Sequence, residues 1–188
     1  LDLKGAFGQA SFTVAGDIDE PMKGKGLGLH IALATKSTKP FSELAGVDVE
    51  ELGPVEAKLS VKEKDGRLDL GNIDIDARPG DARLSVKGSV LDVLGSARPK
   101  LKVALSVRSL RQFDKKLPDA GPVSLTAQAQ SNGGVIDIRE LVAKLGKSDL
   151  SGNASVDTAA EPLSVKATLH AKLIDLTEFS SADDKAAA

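Results

Sequence analysis

The sequence predicts a mostly β protein: one long curved antiparallel sheet, an open groove or half-barrel, with a few short helices. Three observations predict it. Apolar and polar residues alternate with period two, short turn signals rich in Gly and Asn separate the alternating runs, and similar segments recur about every 70 residues. A β-sandwich is the runner-up, because two sheets packed face to face would show the same alternation.

The elements follow in chain order. Leu1-Asp2-Leu3 opens in a strand-like pattern and leads through Phe7-Gly8 to Phe12, Val14, Gly16 and Ile18. Leu27, Leu29, Ile31 and Leu33 are then separated by Gly28, His30 and Ala32. Successive strand side chains point to opposite faces, so such a run makes one apolar and one more polar face. Leu59-Ser60-Val61-Lys62 and Leu84-Ser85-Val86-Lys87 repeat the theme. Leu101, Val103, Leu105 and Val107 alternate with Lys102, Ala104 and Ser106, and Leu163 through Ala171 alternate in the same way. Lys64-Asp65-Gly66, Arg78-Pro79-Gly80 and Ser131-Asn132-Gly133-Gly134 carry hairpin or loop chemistry, with Gly or Asn supplying positive φ. One-sided alternation with short turns favours antiparallel pairing. Phe41–Leu44, Leu110–Leu117 and Asp175–Phe179 break the pattern and predict short helices, each needing the sheet for support.

The chain also resembles itself. Gly53-Pro54-Val55 recurs 68 residues later as Gly121-Pro122-Val123, and Asp65 to Leu70 matches Gly133 to Ile138 at the same offset. Leu1-Asp2-Leu3, Ile73-Asp74-Ile75 and Leu141-Val142-Ala143 each lead to a Gly (Gly8, Gly80 and Gly146) and then to a large apolar residue four positions on. The implied organisation is one continuous β domain: a partial repeat over 1–54, repeats over 55–122 and 123–179, and a disordered tail over 180–188. Leu1 begins within a strand-like pattern and Ala186–Ala188 ends without punctuation, so the chain reads as a piece of something longer.

Composition narrows the function. There is no Cys, which removes thiol nucleophiles, disulfides and thiolate metal sites. Twenty-five basic against 27 acidic residues, evenly spread, argue against nucleic acid as a partner. With 3% aromatics and neither Trp nor Tyr, stacking platforms for bases or sugars are missing. No apolar run is long enough to span a bilayer as a helix.

No constellation of catalytic residues emerges, so the chain is expected not to be an enzyme and to need no cofactor. His30 and His170 occupy polar strand positions without a ligand-spaced partner, and are read as surface residues rather than metal ligands. Asp69, Asp74 and Asp76 fit the solvent side of strands better than a calcium loop. Gly24-Lys25-Gly26-Leu27-Gly28 precedes a strand and lacks the Gly-Lys-Ser/Thr ending of a phosphate loop. No Gly-x-Ser-x-Gly elbow occurs.

The stretch from Phe113 to Phe179 carries a family resemblance. Its "LPDAGPV" entry, "LGKSDLSGNASVD" core, "PLSVKATLHA" strand and "IDLTEF" close resemble the repeat of AsmA-like proteins, including the TamB-like and YhdP-like members. Similar units run through most of the chain and are weakest before Leu27. The resemblance implies a Gram-negative envelope protein, anchored in the inner membrane and projecting into the periplasm. It also implies a groove-shaped β structure that moves phospholipid toward the outer membrane, and no catalytic signature.

Under this reading the partners are phospholipid acyl chains and, by strand addition, other envelope proteins or neighbouring repeats. Exposed hydrocarbon costs roughly 0.8 kcal/mol per CH₂, so a carrier needs apolar cover rather than directional chemistry. Four or five strands at about 4.8 Å spacing cover roughly 20 Å, about one acyl chain. The expected lining is Leu68, Leu70, Ile73, Ile75, Leu84, Val86, Leu101, Val103, Leu105, Val107, Ile136, Ile138, Leu163, Val165 and Leu169. The alternative is a structural or interaction domain acting through exposed sheet edges.

Overall fold

A computed structural model describes residues 1–20, 25–38, 53–112, 121–132 and 134–175. The described strands are β1 (Asp2–Phe7), β2 (Ala10–Glu20), β3 (Lys25–Thr35), β4 (Val55–Lys64), β5 (Arg67–Ala77), β6 (Arg83–Leu91), β7 (Arg98–Val107), β8 (Val123–Asn132), β9 (Val135–Leu145), β10 (Ser148–Asp157) and β11 (Ser164–His170). They form one open antiparallel sheet of 11 strands whose spatial order is the chain order. Each strand pairs with the one before it, as short turns favour, although longer connections, 36–54 and 108–122, join β3 to β4 and β7 to β8. A sandwich would need two sheets, and the described strands form one.

The turns use the predicted chemistry. Lys64 pairs with Arg67 across Asp65-Gly66, and both turn residues have positive φ, 55° and 76°. That is the geometry whose twist suits a two-residue hairpin. Asn132 pairs with Val135, with Gly134 at φ 90° in the connection.

Among the described residues helix is almost absent. Of the segment Leu110–Leu117, Leu110–Gln112 forms a 3-10 turn and the remainder lies outside the described residues. Phe41–Leu44 lies wholly outside them, as does Asp175–Phe179 apart from Asp175, which belongs to no element. Among the described residues no helix is long and apolar enough to cross a membrane.

Contacts divide the chain into two compact units, Leu1–Pro79 with Ser85–Leu101, and Gly80–Leu84 with Lys102–Ala188. Neither shows a conventional core among its described residues. Among the described residues the buried apolar side chains are Ala10, Val55, Ile73, Ala77, Ala82 and Val107, and no large side chain is fully enclosed. A single sheet explains this, since an apolar strand face is sealed only when another layer packs on it.

Candidate functional site

The candidate site is the apolar face of the sheet. In the first unit the register carries one face across several strands. Leu3 pairs with Val14, Val14 with Ile31, and Ile31 with Leu59. The next row toward the other strand ends runs Leu33, Ala57 and Ile75. Directly opposed residues in an antiparallel pair share a face, so each row is a strip of aliphatic surface.

Two bulges keep this surface continuous within its own unit. Strict alternation would place Leu68 and Leu70 on the opposite face from Ile73 and Ile75, because their positions differ in parity. The pairing of β4 with β5 shifts register between Lys58 and Ser60, and Asn72 supplies the extra residue at φ 49°. Leu70 then faces with Val61, while Ile75 faces with Ala57, all on the same side. Asn72 Nδ2 donates to Ser60 Oγ at 3.2 Å, anchoring the bulge.

The second unit repeats the device in β9. Register shifts on both flanks, between Thr126 and Gln128 and between Gly152 and Ala154, with Glu140 at φ 50°. Ile136 and Ile138 thereby share a face with Leu141 and Ala143. Glu140 N donates to Asn153 Oδ1 at 3.2 Å, and Gln128 Nε2 donates to the Glu140 carboxylate. On the same face the rows Ile136–Val156–Val165 and Ile138–Ala154–Ala167 reach β11.

The expected lining residues differ in access. Leu68, Leu70, Ile75, Leu84, Val86, Leu101, Val103, Leu105, Ile136 and Ile138 are half-buried. Ile73 at 8% and Val107 at 3% exposure are buried and offer a ligand little surface. Val165 and Leu169 are open, at 60% and 46%. Leu163, also at 60%, lies one residue before β11 rather than within the strand. Sequence reasoning left out the β1–β4 members of the first unit's face. Their signal was the same alternation, visible at Leu27–Leu33 and Leu59–Val61.

The opposite face is polar. His30 pairs with Ser60, and His170 with Ser151, both histidines being exposed. Lys58 opposes Asp74 and Lys62 opposes Asp69, giving cross-strand charge pairs. Lys87 Nζ also reaches the Asp74 carboxylate, at 2.9 and 3.0 Å from its two oxygens. The hydrogen bond and charge of Asp74 raise the Lys87 pKa. Asp69 Oδ1 accepts from Asp92 N at 2.8 Å, just past the end of β6. A depression of about 440 Å³ in the second unit is lined by Asp137, Arg139, Asn153, Ser155, Lys166 and Thr168, with Ile138, Ala154 and Ala167. Arg139 there lies 3.6 Å from Asp137.

One carboxylate at the end of β4 does structural work. Glu63 accepts from Gly26 N at 2.6 Å and from Gly66 N at 2.8 Å. It therefore ties the start of β3 to the β4–β5 turn. These two backbone donors hold the Glu63 pKa below the ordinary glutamate value.

Among the described residues no group of three or more His, Asp or Glu could hold a metal ion. The chain matches no protein-family model, no curated protein and no solved structure.

Proposed function

We propose that this chain is a lipid-binding and lipid-transfer module of the AsmA type. It works in the periplasm as part of an inner-membrane-anchored protein, moving phospholipid and so contributing to outer-membrane biogenesis. The observation that carries the reading is an aliphatic sheet face that remains half-exposed, with no second layer over it among the described residues. A water-facing apolar surface of this extent marks an interaction site. Slim aliphatic side chains suit an acyl chain, which makes no directional bonds.

The sheet would curl into an open trough assembled from units of about 70 residues. Supporting this are the two bulges, centred 68 residues apart at Asn72 and Glu140, since bulges increase local twist. Gly16, Gly88 and Gly152 add a second recurrent device, with φ of 142°, 145° and 152°.

Photocrosslinking tests the reading. A photoreactive residue at Val103 or Leu105, both half-buried on the apolar side, should capture phospholipid in cells. The same residue at exposed Lys102 or Ser106 should not. Equal capture from both faces, or none from either, would sink the proposal.

The edges favour a second reading, a structural or interaction domain working by strand addition. In the described sheet β1 and β11 each have a neighbour on one side only. Native mass spectrometry separates the two readings: co-purifying phospholipid supports the first, and a lipid-free chain carrying a partner strand supports the second.

A further inference from the structure

We infer that the polar side of β9–β11 binds a phosphate-type oxyanion, in the depression between Arg139 and Lys166. The site lies on the face opposite the aliphatic surface, so it does not rest on the acyl-chain reading, and either can fail without the other.

The register places the site. Asp137, Ser155 and Lys166 form one row across the three strands, and Asn153 with Thr168 starts another. The row between them, Ile138–Ala154–Ala167, sends its side chains to the aliphatic face. The depression of about 440 Å³ is therefore walled by polar side chains and floored by the backbone of that middle row. The β9 bulge completes the wall, because its register shift sets Arg139 and Glu140 together opposite Asn153. Every lining residue belongs to the second unit.

The chemistry of the wall selects the ligand. Glu140 N donates to Asn153 Oδ1, which commits that oxygen and leaves Nδ2 to donate. Among the described residues the Lys166 ammonium and the Ser155 and Thr168 hydroxyls have no side-chain partner. Arg139 lies 3.6 Å from the Asp137 carboxylate, too far for a direct hydrogen bond, so its donors also stay available. Elsewhere on this face cations stand opposite acids, Lys58 against Asp74 and Lys62 against Asp69, whereas Lys166 stands opposite Ser155. Two cations and one carboxylate leave a single net positive charge among several donors. An anion with three or more acceptor oxygens uses these donors at once, as chloride cannot. One net charge suits a single phosphate group rather than a polyanion. The site is open to water, so binding is weak, roughly millimolar, and sensitive to salt.

Titration of the full chain with inorganic phosphate, followed by amide NMR at constant ionic strength, tests the site. The Ser155, Lys166 and Thr168 amides should shift saturably with phosphate and not with sodium chloride. Lys166→Gln and Arg139→Gln should each weaken binding at least about fivefold. Lys166→Arg, which keeps the charge, and Lys58→Gln, an exposed position on β4, should leave it within about twofold. Both glutamine variants change exposed side chains, and their amide spectra away from the site report an intact fold. Phosphatidylcholine vesicles with and without phosphatidic acid identify the source of the group. Loss of the same amide signals only with phosphatidic acid, relieved in Lys166→Gln, assigns a lipid headgroup; saturation by soluble phosphate without that loss assigns a free phosphate. Either outcome supports the site. Shifts no larger with phosphate than with chloride, or undiminished phosphate binding by the Arg139→Gln, Lys166→Gln double variant, overturn it.

Discussion

Asn72 and Glu140 occupy the same place in two hairpins 68 residues apart, each a non-glycine residue at positive φ, 49° and 50°. Each absorbs one extra residue where its strand would otherwise turn its aliphatic side chains to the wrong face. Positive φ is tolerable for Asn and costly for Glu, roughly 1 kcal/mol or more.

Replacement at these two positions should therefore give opposite results from similar chemistry. Glu140→Gly should stabilise the chain by about 0.5–1 kcal/mol, because relief of positive φ outweighs one exposed side-chain hydrogen bond. Asn72→Val should destabilise it by about 1–2 kcal/mol, since a branched side chain cannot adopt φ 49° without strain. Urea denaturation followed by circular dichroism measures both.

Gly88 has no tolerated substitute. Its φ is 145°, and a Cβ there would lie 2.1 Å from the Lys100 carbonyl oxygen. Gly88→Ala should cost on the order of 2–4 kcal/mol, through strain and displacement of the neighbouring backbone. Gly66, which has nothing within 4 Å of its would-be Cβ, is the comparison; Gly66→Ala suffers only the backbone term, about 1 kcal/mol. The difference between their urea midpoints reads the steric part.

Glu63 contributes an acid-sensitive tie. Its folded pKa is lowered by the Gly26 and Gly66 amides. Its contribution is therefore complete above the ordinary glutamate value, declines as pH falls below it, and is gone under the lowered folded value. Glu63→Gln should be less stable than the parent at neutral pH and equal to it at the acid end. A constant difference across the acid limb would contradict this account.

Polar replacement on the two sides of β7 should separate binding from folding. Val103→Gln with Leu105→Gln removes apolar cover from half-buried positions and should abolish phospholipid co-purification, at a stability cost of about 1 kcal/mol per site. Lys102→Gln with Ser106→Gln should change neither lipid content nor the unfolding midpoint by a measurable amount. Native mass spectrometry and denaturation on the same samples make the comparison.

Period-two alternation at Leu27–Leu33 and Leu101–Val107, and turn chemistry at Asp65-Gly66, depend on local rules alone, so strands and hairpins were legible in the sequence by itself. The polar placement of His30, His170 and Asp69 followed from the same rule. Which apolar residues share a face was only partly legible. Leu68 and Leu70 differ in parity from Ile73 and Ile75, and only the register shift at Asn72, fixed by pairing with β4, brings them to one side. Burial of Ile73 and Val107, against the openness of Val165 and Leu169, was likewise decided in three dimensions. Alternation says that a side chain leaves the sheet on a given side; how far it is shielded there depends on the register of the neighbouring strands and on the side chains they set beside it.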